Sequence, residues 1–218
     1  MEANFWHQRW EKNEIGFHEA SANALLVNHL PSLRLGPHSR VFIPLCGKTL
    51  DIHWLLSQGF RVAGAELSEL AVTQLFAELN LTPEITQRGQ LKHYRARHID
   101  IFVGDIFDLT ADMLGQVDAI YDRAALVALP AQLREKYTAH LISVSHTAPQ
   151  LLICYVYEQS QLSGPPFSVD DAEVKQHYQS HYALHLLENP EVAGGFKGRI
   201  PAQEHVWRLI PAVTENRP

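Results

Sequence analysis

Residues 41–66 read VFIPLCGKTLDIHWLLSQGFRVAGAE. The stretch opens with an apolar run, Val41 to Leu45, of the length that a buried parallel strand needs. Cys46-Gly47-Lys48 breaks the run at a tight turn, and Asp51, Ile52, Trp54, Leu55 and Leu56 follow at helical spacing. Gly59 stands where such a helix would end, and a second strand, Arg61 to Ala65, finishes on a single acid, Glu66. Strand, glycine turn, helix, strand and acid make a nucleotide-binding half-unit. The acid lies 19 residues past Gly47, close to the roughly 20 expected when a carboxylate takes ribose hydroxyls.

The glycines that are missing narrow the chemistry of that turn. Gly47-Lys48-Thr49 matches the end of a phosphate-binding G-x-x-x-x-G-K-[ST] loop, but the position that needs the first glycine holds Phe42. An apolar strand residue does not replace a loop glycine. The dinucleotide fingerprint G-x-G-x-x-G fails too, because one glycine does not let a pyrophosphate approach the backbone at several points. A nucleoside ligand without phosphates needs only a tight turn and a ribose acid, and S-adenosylmethionine is such a ligand. An ordinary α/β crossover, with Glu66 as a helix-start charge, would use the same residues.

The chain has 218 residues, room for one sizeable domain and little for two, so the whole of 1–218 is expected to fold together. Hydrophobic residues make up 46% and charged ones 19%, the balance of a water-soluble globular chain. A net charge of −6, with Lys and Arg scattered, argues against a nucleic-acid partner. The apolar runs are too short for a membrane span, and MEANFWHQRWEKNE has no signal-peptide core. Two cysteines, Cys46 and Cys154, make no disulfide framework and fit a reducing cytoplasm. Thirteen histidines raise the question of a metal. The best spaced, His177, His181 and His185, straddle a helix-to-strand change, and no cysteine pair or acid cluster completes a ligand set, so no metal is expected.

Along the rest of the chain, Phe5, Trp6, Trp10, Ile15 and Phe17 give the N-terminus a heavy aromatic load. They read either as cover for one sheet face or as a lid over a flat ligand. Ser21 is a possible cap for a helix Ala22 to Leu30, stopped by Pro31, and Ser68 for one reaching Leu79. Asn80 to Gly89 reads as turn, and Leu91–Arg95 with Ile99–Val103 as a hairpin. Gly104-Asp105-Ile106 leaves the second of these strands. Asp105 there would meet an adenine amine or merely cap a helix, and Ile106 would meet the ring face. Val117 to Asp122 forms a strand with Arg123 at its exit, where open α/β sheets collect ligands. Asp122 and Arg123 are therefore candidates, with a local ion pair as the competing reading. A helix Ala131–Ser145 entered at Pro130, a strand Leu151–Tyr157, a helix to Tyr178 with a Ser168/Asp171 capping box, and strands Tyr182–Leu187 and Glu204–Ile210 complete the chain.

Seven segments in order carry a resemblance: FWHQRW at 5–10, IGFH at 15–18, VFIPLCGKTLD at 41–51, GAELSE at 64–69, GDIFDL at 104–109, YDRAALVALP at 121–130 and GPPFSV at 164–169. Together they resemble the thiopurine S-methyltransferase family, in its bacterial branch. The resemblance implies the fold of class I S-adenosylmethionine methyltransferases: a Rossmann-like α/β sandwich whose mostly parallel sheet has seven strands, one antiparallel, under an N-terminal cover of residues 1–30. It implies S-adenosylmethionine as cofactor, with contacts at Trp10, Leu45, Glu66, Asp105, Ile106 and Arg123. Phe17 and Arg123 would face the substrate, and Arg199 or Lys197 would stand in for a second substrate-side cation that does not align. The implied activity is methyl transfer to small aromatic thiols such as thiopurines, extending to selenium and tellurium species in detoxification, by a monomer with no general base. The rivals are a methyltransferase for another small anion, halide-like or thiocyanate-like, and a non-catalytic cofactor-binding domain. Glu66, as a strand-end acid, is expected to be exposed and to add little to stability.

Overall fold

The structure, a computed structural model, describes residues 3–14, 19 and 21–212. Two short helices come first, α1 (Ala3–Glu11) and α2 (Ala24–His29), and a 3-10 turn at Leu30–Leu33 leads on to β1 (Arg40–Pro44). The decisive stretch then forms α3 (Leu50–Ser57) and β2 (Arg61–Glu66), followed by α4 (Glu69–Glu78). A three-strand meander comes next: β3 (Glu84–Arg88), β4 (Leu91–Ala96) and β5 (Ile99–Val103). The chain continues through α5 (Ala111–Leu114), β6 (Ala119–Arg123), α6 (Ala131–Val144), β7 (Gln150–Tyr157), α7 (Asp171–Tyr178), β8 (Tyr182–Glu188) and β9 (Ala202–Pro211).

The strands form one sheet in the order β3-β4-β5-β2-β1-β6-β7-β9-β8. Strands β5, β2, β1, β6 and β7 are parallel to one another, while β4 and β9 run against them. Among the described residues the sheet therefore has nine strands with two reversed, where seven with one reversed were expected. The added hairpin is β3-β4. Every residue of β3 is exposed, so TPEITQRG carries no alternation of apolar and polar positions to read. The topology reverses at β1, which pairs with β2 on one side and β6 on the other. That reversal opens a crevice beyond the carboxyl ends of the strands.

Period-two alternation divides the core between the two faces of the sheet. Val41, Ile43, Val62, Ile101, Tyr121 and Ile153 face α2, α3 and α4. Phe42, Ala63, Phe102, Ile120, Leu152 and Trp207 face α6 and α7. Each fully buried Val, Ile, Leu or Phe among them contributes roughly 1.5–3 kcal/mol. Local caps fall differently from the sequence expectation at two places. Asn23, not Ser21, caps α2, its side chain accepting from the Leu25 and Leu26 N–H groups at 2.9 and 3.3 Å. Asp170 caps α7 through the Glu173 N–H at 2.9 Å, while the Ser168 hydroxyl accepts from Tyr157 N–H instead. Ser68 caps α4 as expected.

Candidate active site

The turn after β1 is built against β2. The Cys46 N–H donates to the Ala65 carbonyl at 3.0 Å, which folds the thiol back over the sheet. Gly64 makes room for it: a Cβ there would lie 2.6 Å from Ile101 Cδ1 and 2.8 Å from Cys46 Sγ. Leu45 and Gly47 both take left-handed backbone, at φ 47° and 53°. For a branched residue such as Leu45 that is a strained conformation of the kind that concentrates at ligand sites. At Gly47 a Cβ would also lie 3.0 Å from the Trp10 ring, so α1 rests its buried Trp10 directly on the turn.

Glu66 is the centre of this half. It is only 6% exposed, so the expectation of an exposed strand-end acid is overturned. One carboxylate oxygen accepts from the Gly47 N–H and the other from the Ser68 N–H, both at 2.8 Å. Burial raises its pKa, and the N–H groups of Ser68, Gly47 and Leu67 pull it back. Each oxygen has taken one donor and keeps a lone pair for another. The Glu66 carbonyl in turn accepts from the Gly104 N–H at 2.9 Å, which ties the end of β5 to the same point. A cavity of about 430 Å³ lies next to this point, lined by Leu67, Ser68, Val103 and Gly104 with His7, Glu69 and Lys92, while Trp10, Leu45, Glu66, Asp105 and Ile106 are not part of its lining. Asp105 is exposed and caps the turn Ile106–Asp108 by accepting from the Phe107 N–H at 3.0 Å, while Ile106 is buried. Trp10, Leu45 and Glu66 thus meet at one turn, with Asp105 and Ile106 at the end of the neighbouring strand. Phe17 and Ile15 lie outside the described residues.

Across the reversal, Arg123 ends β6, and Ala124 after it is left-handed at φ 66°. Its side chain is 9% exposed and forms an ion pair with Glu19 of the N-terminal segment. Burial opposes the charge, but Tyr155, Glu19, Tyr121 and Asp51 outweigh it and hold the guanidinium more firmly protonated than usual. Asp122 does not pair with Arg123. Successive strand residues point to opposite faces, so Asp122 turns under α6. There it accepts from the Tyr137 hydroxyl at 2.8 Å and the Leu126 N–H at 3.1 Å. It is fully buried, and burial pushes its pKa up to about 6. Its work is to hold the turn that carries Arg123.

The sequence reading passed over three polar neighbours of Arg123. Tyr155 lies on β7 two residues past Ile153, the register partner of Arg123, and Glu204 is the register partner of Tyr155 on β9. Glu19 is the third. The signal in the sequence was faint: a tyrosine near the end of the apolar strand β7 and an acid among the polar residues that open β9. Lys197, by contrast, is exposed with its ammonium 5.8 Å from the Phe196 ring, and Arg199 is exposed.

This architecture is shared with solved methyltransferases. The chain superposes with a TM-score of 0.63 on an S-adenosylmethionine-dependent methyltransferase from Anabaena variabilis, at 16% identity over 95% of each chain. It superposes at 0.64 on the Burkholderia thailandensis 1,6-didemethyltoxoflavin N1-methyltransferase, solved with S-adenosylhomocysteine, at 14% identity over 95% of this chain and 86% of that one. Among curated relatives, a thiopurine S-methyltransferase of Xanthobacter autotrophicus is 55% identical over 96% of this chain and 99% of its own. One of Gluconobacter oxydans is 52% identical over 96% and 95%. The family described as Thiopurine S-methyltransferase (TPMT) matches residues 1–207. The chain therefore belongs to the thiopurine S-methyltransferase family, and with it to the S-adenosylmethionine-dependent methyltransferases.

Proposed function

We propose that this protein transfers the methyl group of S-adenosylmethionine to the sulfur of small aromatic and heterocyclic thiols, thiopurines among them, and to selenium or tellurium nucleophiles of similar size. The name carried by its relatives supports the thiopurine class. The observation that carries the reading is the Glu66 carboxylate, buried at the carboxyl end of β2 and held by two backbone N–H groups. An acceptor so fixed, with a lone pair left on each oxygen, suits the two hydroxyls of a ribose. In this reading Asp105 and Ile106 meet the edge and face of adenine. Trp10 and Leu45 flank the remainder of the cofactor, and Phe17 and Arg123 face the substrate.

When bound, the cofactor supplies a methyl group already activated by its sulfonium charge. The protein then has to hold an ionised nucleophile in line and keep water away. Arg123, buried and firmly charged, favours the thiolate without taking its proton. A heteroaromatic ring acidifies the thiol enough for solvent to take that proton, so no general base is assigned. We take 1–218 as one catalytic domain acting as a cytoplasmic monomer. The two cysteines are buried and unpaired, in keeping with a reducing compartment.

Incubation with methyl-labelled cofactor and a panel of heterocyclic thiols, selenite-derived species, iodide and thiocyanate tests the reading. Label is expected in the thiols. S-adenosylhomocysteine at a hundredfold excess over its Kd should also stabilise the protein by about 2.7 kcal/mol. Label in iodide or thiocyanate alone would move the reading to a halide-type methyltransferase, and stabilisation without any transfer to a binding domain.

A further inference from the structure

A buried carboxylate ties the N-terminal segment to both halves of the crevice. Asp51, in the first turn of α3 and four residues past Gly47, is only 1% exposed. One of its oxygens accepts from the Asn23 N–H at 2.7 Å and the other from the Tyr121 hydroxyl at 3.0 Å. Tyr121 stands two residues before Arg123, on the same face of β6. Asn23 is itself buried, and its side-chain oxygen is taken by the Leu25 and Leu26 N–H groups. That fixes which way the amide points. Its NH2 group donates to one Glu19 oxygen at 3.4 Å, and the other Glu19 oxygen pairs with Arg123. Arg123, Glu19, Asn23, Asp51 and Tyr121 thus close a ring.

We propose that Asp51 is a positioning residue for the substrate side: by holding Asn23 it keeps Glu19 on Arg123, and so sets how readily an anionic nucleophile takes the place of Glu19. The inference rests on the proposed function, since it takes Arg123 as the substrate-side cation. The links of the ring differ in strength. Asp51 holds the Asn23 backbone in a dry part of the core, where an unpaired N–H or carboxylate is costly. Glu19 is the most exposed member, and its two links run between side chains, one of them long. The ring therefore opens at Glu19 first. Asn23 stays in place, and a carboxylate on so short a tether competes for Arg123 at high effective concentration. Loosening the tether favours the substrate anion. A carboxylate that only braced α3, or acted only through its charge on Arg123, would leave the contribution of Glu19 unchanged.

The test is a set of double-mutant cycles on the full-length protein. KM for purine-6-thiol and for thiophenol, at low salt and a pH at which each thiol is ionised, is measured with and without Glu19→Gln in four backgrounds. These are the parent, Asp51→Ala, Asp51→Asn and Asn23→Ser. Asn23→Ser keeps a capping oxygen and the N–H that Asp51 accepts, but loses the amide that reaches Glu19. In the parent, Glu19→Gln should lower KM about two- to fivefold. In Asp51→Ala and Asn23→Ser it should change KM by less than about 1.5-fold. Asp51→Asn keeps an acceptor for the Asn23 N–H and should retain most of the parent's response. S-adenosylhomocysteine affinity on each variant separates these effects from damage to the cofactor turn. If Asp51→Ala does not fold, the other two backgrounds carry the comparison. An equal response in every background, or none in the parent, would overturn the assignment of Asp51 while leaving thiol methylation standing. Failure of the parent protein to methylate either thiol would take down both.

Discussion

The two ends of the crevice hold their charges by different means. On the β2 and β5 side, Glu66 is held by N–H groups of the backbone, within a turn and a strand end that belong to one unbroken stretch of chain. On the β6, β7 and β9 side, Arg123 pairs with the side chain of Glu19, which arrives from the N-terminal segment. Backbone donors cannot rotate away, so the first end is fixed before any ligand arrives, as the proposed cofactor role requires. Side-chain partners can be exchanged, and in the proposed reading an anionic substrate displaces or accommodates Glu19 to reach Arg123. A constant cofactor and a variable nucleophile would call for that division.

The largest expected effect breaks the first end. Glu66→Ala should weaken S-adenosylmethionine by about 2–3 kcal/mol, roughly 30- to 150-fold in Kd. It should also lower ligand-free stability by about 2 kcal/mol, because the Gly47 and Ser68 N–H groups lose their acceptor. Glu66→Gln keeps one acceptor oxygen and should cost less on both counts. Titration calorimetry and urea unfolding read the two effects separately. Lost stability with unchanged affinity would make Glu66 only a turn brace.

The next effect lies beneath the second end and appears as a pH dependence. Asp122 titrates near 6 in the folded protein against 3.8 for a free carboxyl. The folded state therefore holds its proton more tightly, and the stability this contributes is full below about pH 4 and lost as pH rises through 6. The loss should be roughly 2–3 kcal/mol. Asp122→Asn should flatten that part of the curve, so the difference between parent and variant in urea unfolding at pH 4.5, 5.5 and 6.5 isolates it. Parallel curves would show that Asp122 is ionised at no net cost.

Returning to the preformed end, Gly64→Ala would press a methyl into Ile101 and the Cys46 sulfur. A cost of about 1–3 kcal/mol in stability is expected, with a weaker cofactor because Cys46 and the turn move together. Equal stability in a melting experiment would mean that the turn is softer than its bonding suggests. The smallest effect sharpens the exchangeable end. Glu19→Gln removes a competitor for Arg123, and since Glu19 is 41% exposed the pair is worth only about 0.2–1 kcal/mol. The KM for a thiolate should fall about two- to fivefold at low salt. A KM that rises would make Glu19 a contributor to substrate binding.

Much of the first end was legible because it is local. The strand Val41–Leu45, the glycine turn and the acid at 66 lie within one βαβ unit, whose hydrophobic periods and turn chemistry are written in consecutive residues. Even there the burial of Glu66 was misread, since a strand-end acid looks exposed until α1 lays Trp10 over the turn. The other end was barely legible. That Asp122 and Arg123 point to opposite faces follows from strand alternation alone and was available in the sequence. That Arg123 meets Tyr155 and Glu204 was not, because it depends on β7 and β9 pairing in one register.

The amino-acid sequence by itself determined the α/β class, the strand–turn–helix–strand unit that ends on Glu66, and membership of the methyltransferase family, because each is carried by neighbouring residues or by motifs read in order. Tertiary structure alone decided the nine-strand sheet with its exposed β3-β4 hairpin, the burial of Glu66, and the meeting of Glu19, Arg123, Tyr155 and Glu204. Those features depend on strand order and register, which are settled by packing whole faces against one another. No short stretch of chain encodes that energy.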